Sequence, residues 1–270
     1  MDINQFNNEN TIILTIGRMN PPTTGHLLLI KEMIHKAIED NLTKINIILS
    51  HSEDKQKNPF DCNKKRFFLT NDEIHQSMTT LLKKQMMEED PTNADKIEKM
   101  EVRIVCMDDD VKPEYGKHPI MKSIAHILGE FYGYSSEEQR EGLKIKLIVG
   151  QDRMDAYDWI KKSLENRQPP VNVEIIGLPR PEGAMSATEM RTYALNNDWE
   201  TFKTKLESTG LDESVIKSIF DGIILNMTVQ TIEEGPKKKR RKTGGKRKTR
   251  KMKKTIKMKK NKKIRKTKRK

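Results

Sequence analysis

The chain has 270 residues, which is enough for one good-sized hydrophobic core or two small ones. Its net charge of +13 combines two parts of opposite sign, because 23 of the 52 Lys and Arg residues lie within residues 236–270, where no Asp or Glu occurs. Residues 1–235 hold the other 29 basic residues and all 39 acidic ones, a net charge of −10. We therefore expect an acidic globular body. The basic tail is excluded from its core, because it has too few apolar side chains to offset the entropy of folding.

Export and membrane insertion are not indicated by the sequence. The stretch MDINQFNNEN, residues 1–10, is polar and lacks the basic residues of a signal peptide. No apolar run approaches the roughly 18 residues that would span a bilayer. Cys62 and Cys106 have no partners at metal-ligand spacing, so we expect both to be reduced thiols in an intracellular protein.

The predicted elements alternate between strands and helices along the chain. Thr11–Ile16 is a short β-branched run that ends at Gly17 and a Pro-Pro loop, which predicts a buried strand. From His26 to Ile38 the apolar residues recur at steps of three and four, which predicts a helix. Further strands are predicted at 45–50, 102–107, 143–150 and 171–177. Helical patterns are found at about 62–89, 119–131, 155–164, 186–196, 199–207 and 212–225.

This alternation favours an α/β fold with a doubly wound, Rossmann-like parallel sheet of about five strands. Ligands of such sheets bind beyond the carboxyl ends of the strands, so the loops at those ends are candidate sites. We expect four parts in the chain. They are a flexible N-terminus at 1–10, the α/β domain at 11–198, a C-terminal helical extension at 199–235 and a disordered basic tail at 236–270.

The segment GRMNPPTTGH, residues 17–26, joins the first predicted strand to the first predicted helix. A helix N-terminus presents unpaired N–H groups and the positive end of the helix dipole, which favour an anion. Gly17 and Gly25 permit a close approach between ligand and backbone, and His26 could hydrogen-bond a phosphate in the first turn. No strand is followed by G-x-x-x-x-G-K-[ST] or G-x-G-x-x-G. This argues against a P-loop NTPase and against an ordinary dinucleotide-binding dehydrogenase.

GRMNPPTTGH resembles the (H/T)xGH signature of the nucleotidyltransferase superfamily, with Thr23, Gly25 and His26 at the matching positions. The second signature of that family, ISSTxxR, is similar to MSATEMR at residues 185–191, after the fifth predicted strand. A third segment, LIVGQDRMDAYDWI at residues 147–160, resembles the family's strand that ends in Gly-x-Asp. The likeness covers about residues 11–206 and is greatest to nucleotidyltransferases of large phages and related viral or bacterial sequences, whose lysine-rich KKNP loop is similar to DKQKNP at residues 54–59.

The resemblance implies transfer of a nucleoside monophosphate from a nucleoside triphosphate to a small phosphorylated acceptor, with release of pyrophosphate. His26 would contact the α-phosphate region, and Thr23 would take the place of the family's other histidine. Arg191 and the hydroxyls of Ser186 and Thr188 would hold the β- and γ-phosphates. Ser-Ala-Thr-Glu, starting at Ser186, also fits a helix capping box, and the two roles are compatible.

Further site residues follow from the same resemblance. Lys55 and Lys57 lie in the loop after the second strand, where the family often supplies a lysine to the phosphates. Gly150 and Asp152 would meet the base or the ribose, although Asp152 also fits a helix N-cap. The nucleotide contacts expected from the first segment are Gly17, Arg18, Met19 and Gly25. Mg²⁺ would be held mainly by the triphosphate, so we expect no protein metal cage and no tightly bound organic cofactor.

The acceptor is less constrained than the type of reaction. GRMNPP and MSATEMR favour nicotinamide mononucleotide with ATP, which would form NAD. A cytidylyltransferase that uses CTP and an alcohol phosphate has the same motifs, so this alternative stays open. A class I aminoacyl-tRNA synthetase would need a lysine-rich KMSKS-type loop, which AMSATEMR lacks. A catalytically inactive module associated with nucleic acid or a virion is a further alternative, and the joint presence of Thr23, His26 and Arg191 argues against it.

The basic tail has no aromatic residue for stacking on bases, so any attraction to DNA or RNA would depend on salt and not on sequence. PKKKRRK, residues 236–242, resembles a monopartite nuclear import signal. Association with the acidic body and simple solvation are the other interpretations. Of these interpretations we favour non-specific association with nucleic acid, followed by nuclear import. We expect the protein in the nucleus or cytoplasm of a host cell, or in association with a virion. The sequence predicts no oligomeric state.

Overall fold

Five parallel strands form one sheet at the centre of the fold. The computed structural model of the chain describes residues 10–50, 58–70, 77–107, 118–134, 142–167, 169–180 and 184–233. In these ranges the strand order is β3-β2-β1-β4-β5, and all four strand pairs are parallel. The strands are β1 Thr11–Gly17, β2 Lys44–Leu49, β3 Glu101–Cys106, β4 Lys144–Gly150 and β5 Asn172–Leu178.

Helices connect the strands and follow the last one. Within the described ranges they are α1 Thr24–Glu39, α2 Cys62–Thr70, α3 Met78–Glu89, α4 Ala94–Lys99, α5 Pro119–Tyr134, α6 Asp158–Glu165, α7 Ala187–Leu195, α8 Trp199–Glu207 and α9 Glu213–Glu233. Short 3₁₀ turns occur at Pro91–Asn93, Gln151–Arg153 and Asp155–Tyr157. A search of the described helices finds none that is long and apolar enough to cross a membrane.

The strand order places a topological switch point between β1 and β4. The chain runs outward from β1 through β2 to β3, and then returns to the other side of β1 to form β4 and β5. β1 therefore pairs with β2 on one side and with β4 on the other. Connections on the two sides of such a point diverge, which opens a crevice at the carboxyl ends of the strands. The predicted doubly wound α/β fold is confirmed.

Two hydrophobic layers cover the sheet, one on each face. Because side chains alternate along a strand, Ile13 and Ile45 contribute to the first layer, whereas Leu14 and Leu147 contribute to the second. The first layer includes buried residues of α1, α2, α3, α4, α7, α8 and α9. The second layer includes buried residues of α5 and α6. The C-terminal helices α8 and α9 thus share the main core with α1.

Some helix boundaries differ from those that the sequence predicts. The continuous pattern at 62–89 is divided into α2 and α3, and Ser77 begins α3 by accepting a hydrogen bond from the Thr80 N–H at 3.3 Å. Serine is more favourable at an N-cap than inside a helix, because its hydroxyl competes with backbone groups for hydrogen bonds. The short helix α4 was not predicted, and α9 extends eight residues beyond the predicted end at Leu225.

The prediction of two free thiols is wrong in this structure. Cys62 and Cys106 form a disulfide, with their Cα atoms 5.9 Å apart. Cys62 is the first residue of α2 and Cys106 the last residue of β3, and both are buried. Their separation of 44 residues along the chain conceals this contact. The parallel crossover from β2 to β3 brings the two positions together.

Candidate functional site

The loop after β1 forms one wall of the crevice at the switch point. Met19 has a positive φ of 43°, and the peptide bond between Asn20 and Pro21 is cis. Met19 was expected to contact the nucleotide. Its side chain is instead buried in the first hydrophobic layer, where it packs against the core. Arg18, by contrast, is exposed at the carboxyl edge of the sheet. Gly17 ends β1 beside both of them.

The start of α1 holds His26 in one orientation. The Thr23 N–H donates to His26 Nδ1 at 3.1 Å, and Thr23 Oγ1 lies 2.9 Å from the same nitrogen. Since Nδ1 accepts the backbone hydrogen bond, it carries no proton in the neutral ring, and we assign the proton to Nε2. The first turn of α1 contains no acidic residue. The positive end of this helix and an imidazole N–H are therefore both available to an anion.

Burial lowers the pKa of His26 from 6.5 to about 4, and the positive charge of Arg180 adds to this effect. The ring is consequently neutral at physiological pH. Arg180 follows the end of β5 by two residues and was not among the predicted site residues. A basic residue directly beyond the carboxyl end of a strand is the signal that could have identified it.

The start of α7 is a capping box, as the sequence predicts. The Ser186 N–H donates to Glu189 Oε2 at 2.8 Å, and the Glu189 N–H donates to Ser186 Oγ at 3.2 Å. The hydrogen bonds from Ser186 lower the pKa of Glu189, and the charge of Arg180 contributes in the same direction. This helix start therefore already contains a carboxylate.

Arg191 and Thr23 connect the two signature segments. The Arg191 guanidinium donates to the Asn20 carbonyl oxygen through Nη1 and to Thr188 Oγ1 through Nη2, the latter at 3.1 Å. The single hydroxyl proton of Thr23 is shared between two acceptors, His26 Nδ1 at 2.9 Å and the Met185 carbonyl oxygen at 3.1 Å, and Met185 lies 162 positions away in the sequence. The segments that resemble the two family signatures are thus in direct contact.

Gly25 permits this contact. A Cβ atom at position 25 would lie 3.1 Å from the Met185 carbonyl oxygen, closer than ordinary van der Waals contact. Glycine therefore allows the first turn of α1 to approach the backbone that precedes α7. Gly25 was predicted to allow a ligand to approach the backbone closely. In the structure the group that approaches Gly25 closely is the Met185 carbonyl.

The third resembling segment lies at the end of β4. Gly150 is the last residue of β4, and Asp152 is exposed in the 3₁₀ turn that follows, with one carboxylate oxygen 3.5 Å from Arg153 Nε. Asp152 is not an N-cap of α6, which starts at Asp158. The Tyr157 hydroxyl donates to the Ile16 carbonyl oxygen at 3.2 Å, and burial raises its pKa. Tyr157 thereby connects the 3₁₀ turns that follow β4 to the end of β1, across the switch point.

Lys55 and Lys57 lie outside the described residues, as does the basic tail. The described residues that flank 51–57, the segment with these two lysines, contact the end of β1 and the loop after it. The Ser50 N–H donates to the Gly17 carbonyl oxygen at 2.9 Å, and Asn20 is hydrogen-bonded to Phe60. Lys65 is fully buried and donates to the Ser50 carbonyl oxygen at 3.1 Å. Its burial at this edge was not predicted, because the sequence shows it only as one of several charged residues in α2.

The described side chains at this edge are suited to an anion. The two helix starts are in contact, and the neutral ring of His26, Arg180 and Arg191 are found with them. The described ranges contain no cluster of three or more metal-ligating side chains. Oriented N–H donors and guanidinium groups are the typical ligands of phosphate. No protein-family model matches the chain, and no curated protein matches it.

Proposed function

We propose that the chain is a nucleotidyltransferase that transfers a nucleoside monophosphate from a nucleoside triphosphate to a phosphorylated acceptor and releases pyrophosphate. The observation that carries this proposal is the contact between the two signature segments at the switch point. Thr23 donates to the Met185 carbonyl oxygen, and Arg191 donates to the Asn20 carbonyl oxygen. Two motifs that belong to one active site in the resembling family would here line one crevice.

His26 and the start of α1 would act on the α-phosphate. The ring is neutral, so Nε2–H donates a hydrogen bond without giving up its proton. In-line transfer depends on alignment and on compensation of developing charge more than on covalent catalysis. A donor that is already oriented by Thr23 stabilises that charge without having to reorganise during the reaction.

Arg191 and Arg180 would stabilise the β- and γ-phosphates and the departing pyrophosphate. Arg191 is held by two oxygen acceptors, and the charge of Arg180 acts on residues at both helix starts. Planar guanidinium groups match the geometry of phosphate oxygens. Mg²⁺ would be bound chiefly through the triphosphate. When bound, the ion would neutralise charge on the leaving group.

The favoured substrate pair is ATP with nicotinamide mononucleotide, which would give NAD. CTP with an alcohol phosphate is the alternative. The motifs GRMNPP and MSATEMR favour the first pair, although enzymes that use the second pair carry the same motifs. The two pairs differ in the base and the acceptor, so substrate panels distinguish them.

Pyrophosphate release tests the proposal. The full chain and residues 1–235 should be incubated with Mg²⁺ and each nucleoside triphosphate, against nicotinamide mononucleotide and a set of alcohol phosphates. We expect release with one pair and a large loss after His26→Ala. Absence of release with every pair, or equal release by the His26→Ala variant, would contradict the proposed enzyme.

We also propose that the basic tail binds DNA or RNA without sequence preference. Its 23 basic residues among the last 35 carry this proposal, since dense positive charge displaces counterions from a nucleic-acid backbone. Retention on DNA or RNA at low salt should disappear when residues 236–270 are deleted, while pyrophosphate release stays unchanged. Equal retention by residues 1–235 would show that the tail is not the tether. The segment 236–242 could additionally direct nuclear import, which a fluorescent fusion would test.

A further inference from the structure

Asn20 forms a buried hydrogen-bonded connection between the loop after β1 and the segment that leads into α2. Its side chain is 1% exposed. Nδ2 donates to the Phe60 carbonyl oxygen at 2.7 Å, and the Phe60 N–H donates to Oδ1 at 3.2 Å. Asn58 Oδ1 lies 3.5 Å from the same Nδ2. The carboxamide thus uses its donor and its acceptor on the backbone of one residue, as a neighbouring strand would.

Phe60 is a fixed reference point for this connection. It is 3% exposed and packs edge-on against Phe68 of α2, with ring centroids 5.3 Å apart. On its other side, a Cβ atom at Gly222 of α9 would lie 2.6 Å from its ring, so any larger residue there would force the ring to shift. Two helices therefore hold the residue to which Asn20 is bonded, and interiors packed in this way move little.

The backbone of Asn20 has a second partner on the opposite side. Its carbonyl oxygen accepts a hydrogen bond from Arg191 Nη1, and Arg191 Nη2 donates to Thr188. A continuous path consequently runs from the packed Phe60 through the Asn20 side chain and backbone to the guanidinium. Shifting the Asn20 backbone would shift an acceptor that orients Arg191.

We propose that Asn20 is a positioning residue that presets the Arg191 guanidinium for the polyphosphate of a nucleoside triphosphate. This inference rests on the proposed function. A guanidinium that is aligned before substrate arrives does not have to lose freedom when it binds phosphate, so preorganisation strengthens binding of charge. The effect should concern the phosphates that Arg191 meets and not the nucleoside.

Asn46 supplies a matched control. It is also a buried asparagine, 4% exposed, and its Nδ2 donates to the Ile13 carbonyl oxygen at 3.3 Å within the sheet. It lies in β2 between Ile45 and Ile47, away from both signature segments in the strand register. Asn46→Ala therefore removes a buried amide and its hydrogen bond without altering an acceptor of Arg191.

The test compares Asn20→Ala with Asn46→Ala in the full chain. Calorimetry should measure the dissociation constants of ATP, AMP, CTP and CMP, and thermal unfolding should confirm that each variant folds. We expect Asn20→Ala to weaken triphosphate binding about tenfold and monophosphate binding far less, because interactions between connected residues reach this size. Asn46→Ala should lower the melting temperature and leave all four constants unchanged. Equal weakening of triphosphate and monophosphate, or equal effects of the two variants, would overturn the inference.

A double-mutant cycle adds a second criterion. In the wild-type background Arg191→Ala should weaken triphosphate binding, and in the Asn20→Ala background the same change should cost much less. Simple addition of the two losses would show that Asn20 does not act through Arg191. If Asn20→Ala does not fold, Asn20→Ser replaces it, since serine is also uncharged and too short to bond both the N–H and the carbonyl group of Phe60, and the same criteria apply.

The two proposals fail in different ways. A wild-type chain that binds no nucleoside triphosphate and releases no pyrophosphate removes the proposed function and this inference with it. A wild-type chain that binds triphosphate, together with an Asn20→Ala variant that binds it equally well, removes only the inference.

Discussion

The starts of α1 and α7 are built on the same plan and differ in charge. In each helix, the residue three positions after the N-cap returns a side-chain acceptor to the N-cap N–H: His26 to Thr23 and Glu189 to Ser186. The acceptor is a neutral imidazole in α1 and an ionised carboxylate in α7. Both helix starts present backbone N–H groups at the same edge of the sheet.

Because of this difference in charge, we expect the two helix starts to interact differently with a phosphate. The positive end of α7 is already compensated by Glu189, whereas the first turn of α1 contains no acidic residue. An incoming phosphate should therefore bind first at α1. At α7 we expect the phosphates to interact with arginine side chains more than with the helix end itself. The phosphate roles of Ser186 and Thr188 stay predictions.

His26→Ala should have the largest effect, because it removes both the proposed donor to phosphate and the acceptor for the Thr23 N–H. We expect pyrophosphate release to fall by roughly 100-fold or more, the range measured for loss of one oriented donor in an active site. His35→Ala is the control, since His35 lies on the same helix with 42% of its side chain exposed. Similar losses in the two variants would show that α1 contributes only through its stability.

The pH dependence of stability should separate the two helix starts. The pKa of His26 is about 4 in the folded chain, below its ordinary value of 6.5. Between these values the unfolded chain binds a proton that the folded chain does not, so stability falls as the pH decreases from 6.5 to 4. The pKa of Glu189 is also lowered, so its contribution is present above 4.5 and is lost only at more acidic pH. Melting temperatures should fall less between pH 7 and pH 5 in His26→Ala than in wild type; an identical fall would contradict the shift at His26.

Ser186→Ala should have a moderate effect that is mainly structural. The variant loses the oxygen that accepts the Glu189 N–H, and removal of such a cap costs about 1 kcal/mol of unfolding free energy. We expect a lower midpoint in urea and only a modest loss of triphosphate affinity. If affinity falls tenfold without a change of midpoint, Ser186 is a phosphate ligand first and a cap second.

Glu189→Gln should have the smallest effect, and in the opposite direction. Glutamine retains an oxygen that can accept the Ser186 N–H but removes the negative charge beside the proposed phosphate site. Triphosphate affinity should rise by roughly threefold, since exposed charges at helix ends contribute some tenths of a kcal/mol. The gain should shrink at high salt. Weaker binding would show that the carboxylate supports the site.

The sequence predicts those features that depend on neighbouring positions. Apolar runs located the five strands, and the spacing from Ser186 to Glu189 predicted the capping box of α7. The equivalent arrangement in α1 was missed, because histidine is not the usual partner in that pattern. Asn20 and Phe60 are 40 positions apart, so their contact depends on how α2 packs. Arg180 is similar, since its influence on His26 arises only once β5 and α1 occupy their places around the sheet.

The disulfide between Cys62 and Cys106 closes a covalent ring that contains α2, α3, α4 and β3. Closing a ring of this length removes unfolded-chain entropy worth on the order of 4 kcal/mol. Cys106 ends β3, and Cys62 is much closer in sequence to the end of β2 than Cys106 is, so the disulfide shortens the stretch of chain that has to close when β2 and β3 pair. The chain is therefore expected to have a higher free energy of unfolding when the two cysteines are oxidised than when they are reduced. The melting temperature with and without a dithiol reductant would measure how much stability the oxidised chain gains over the reduced one.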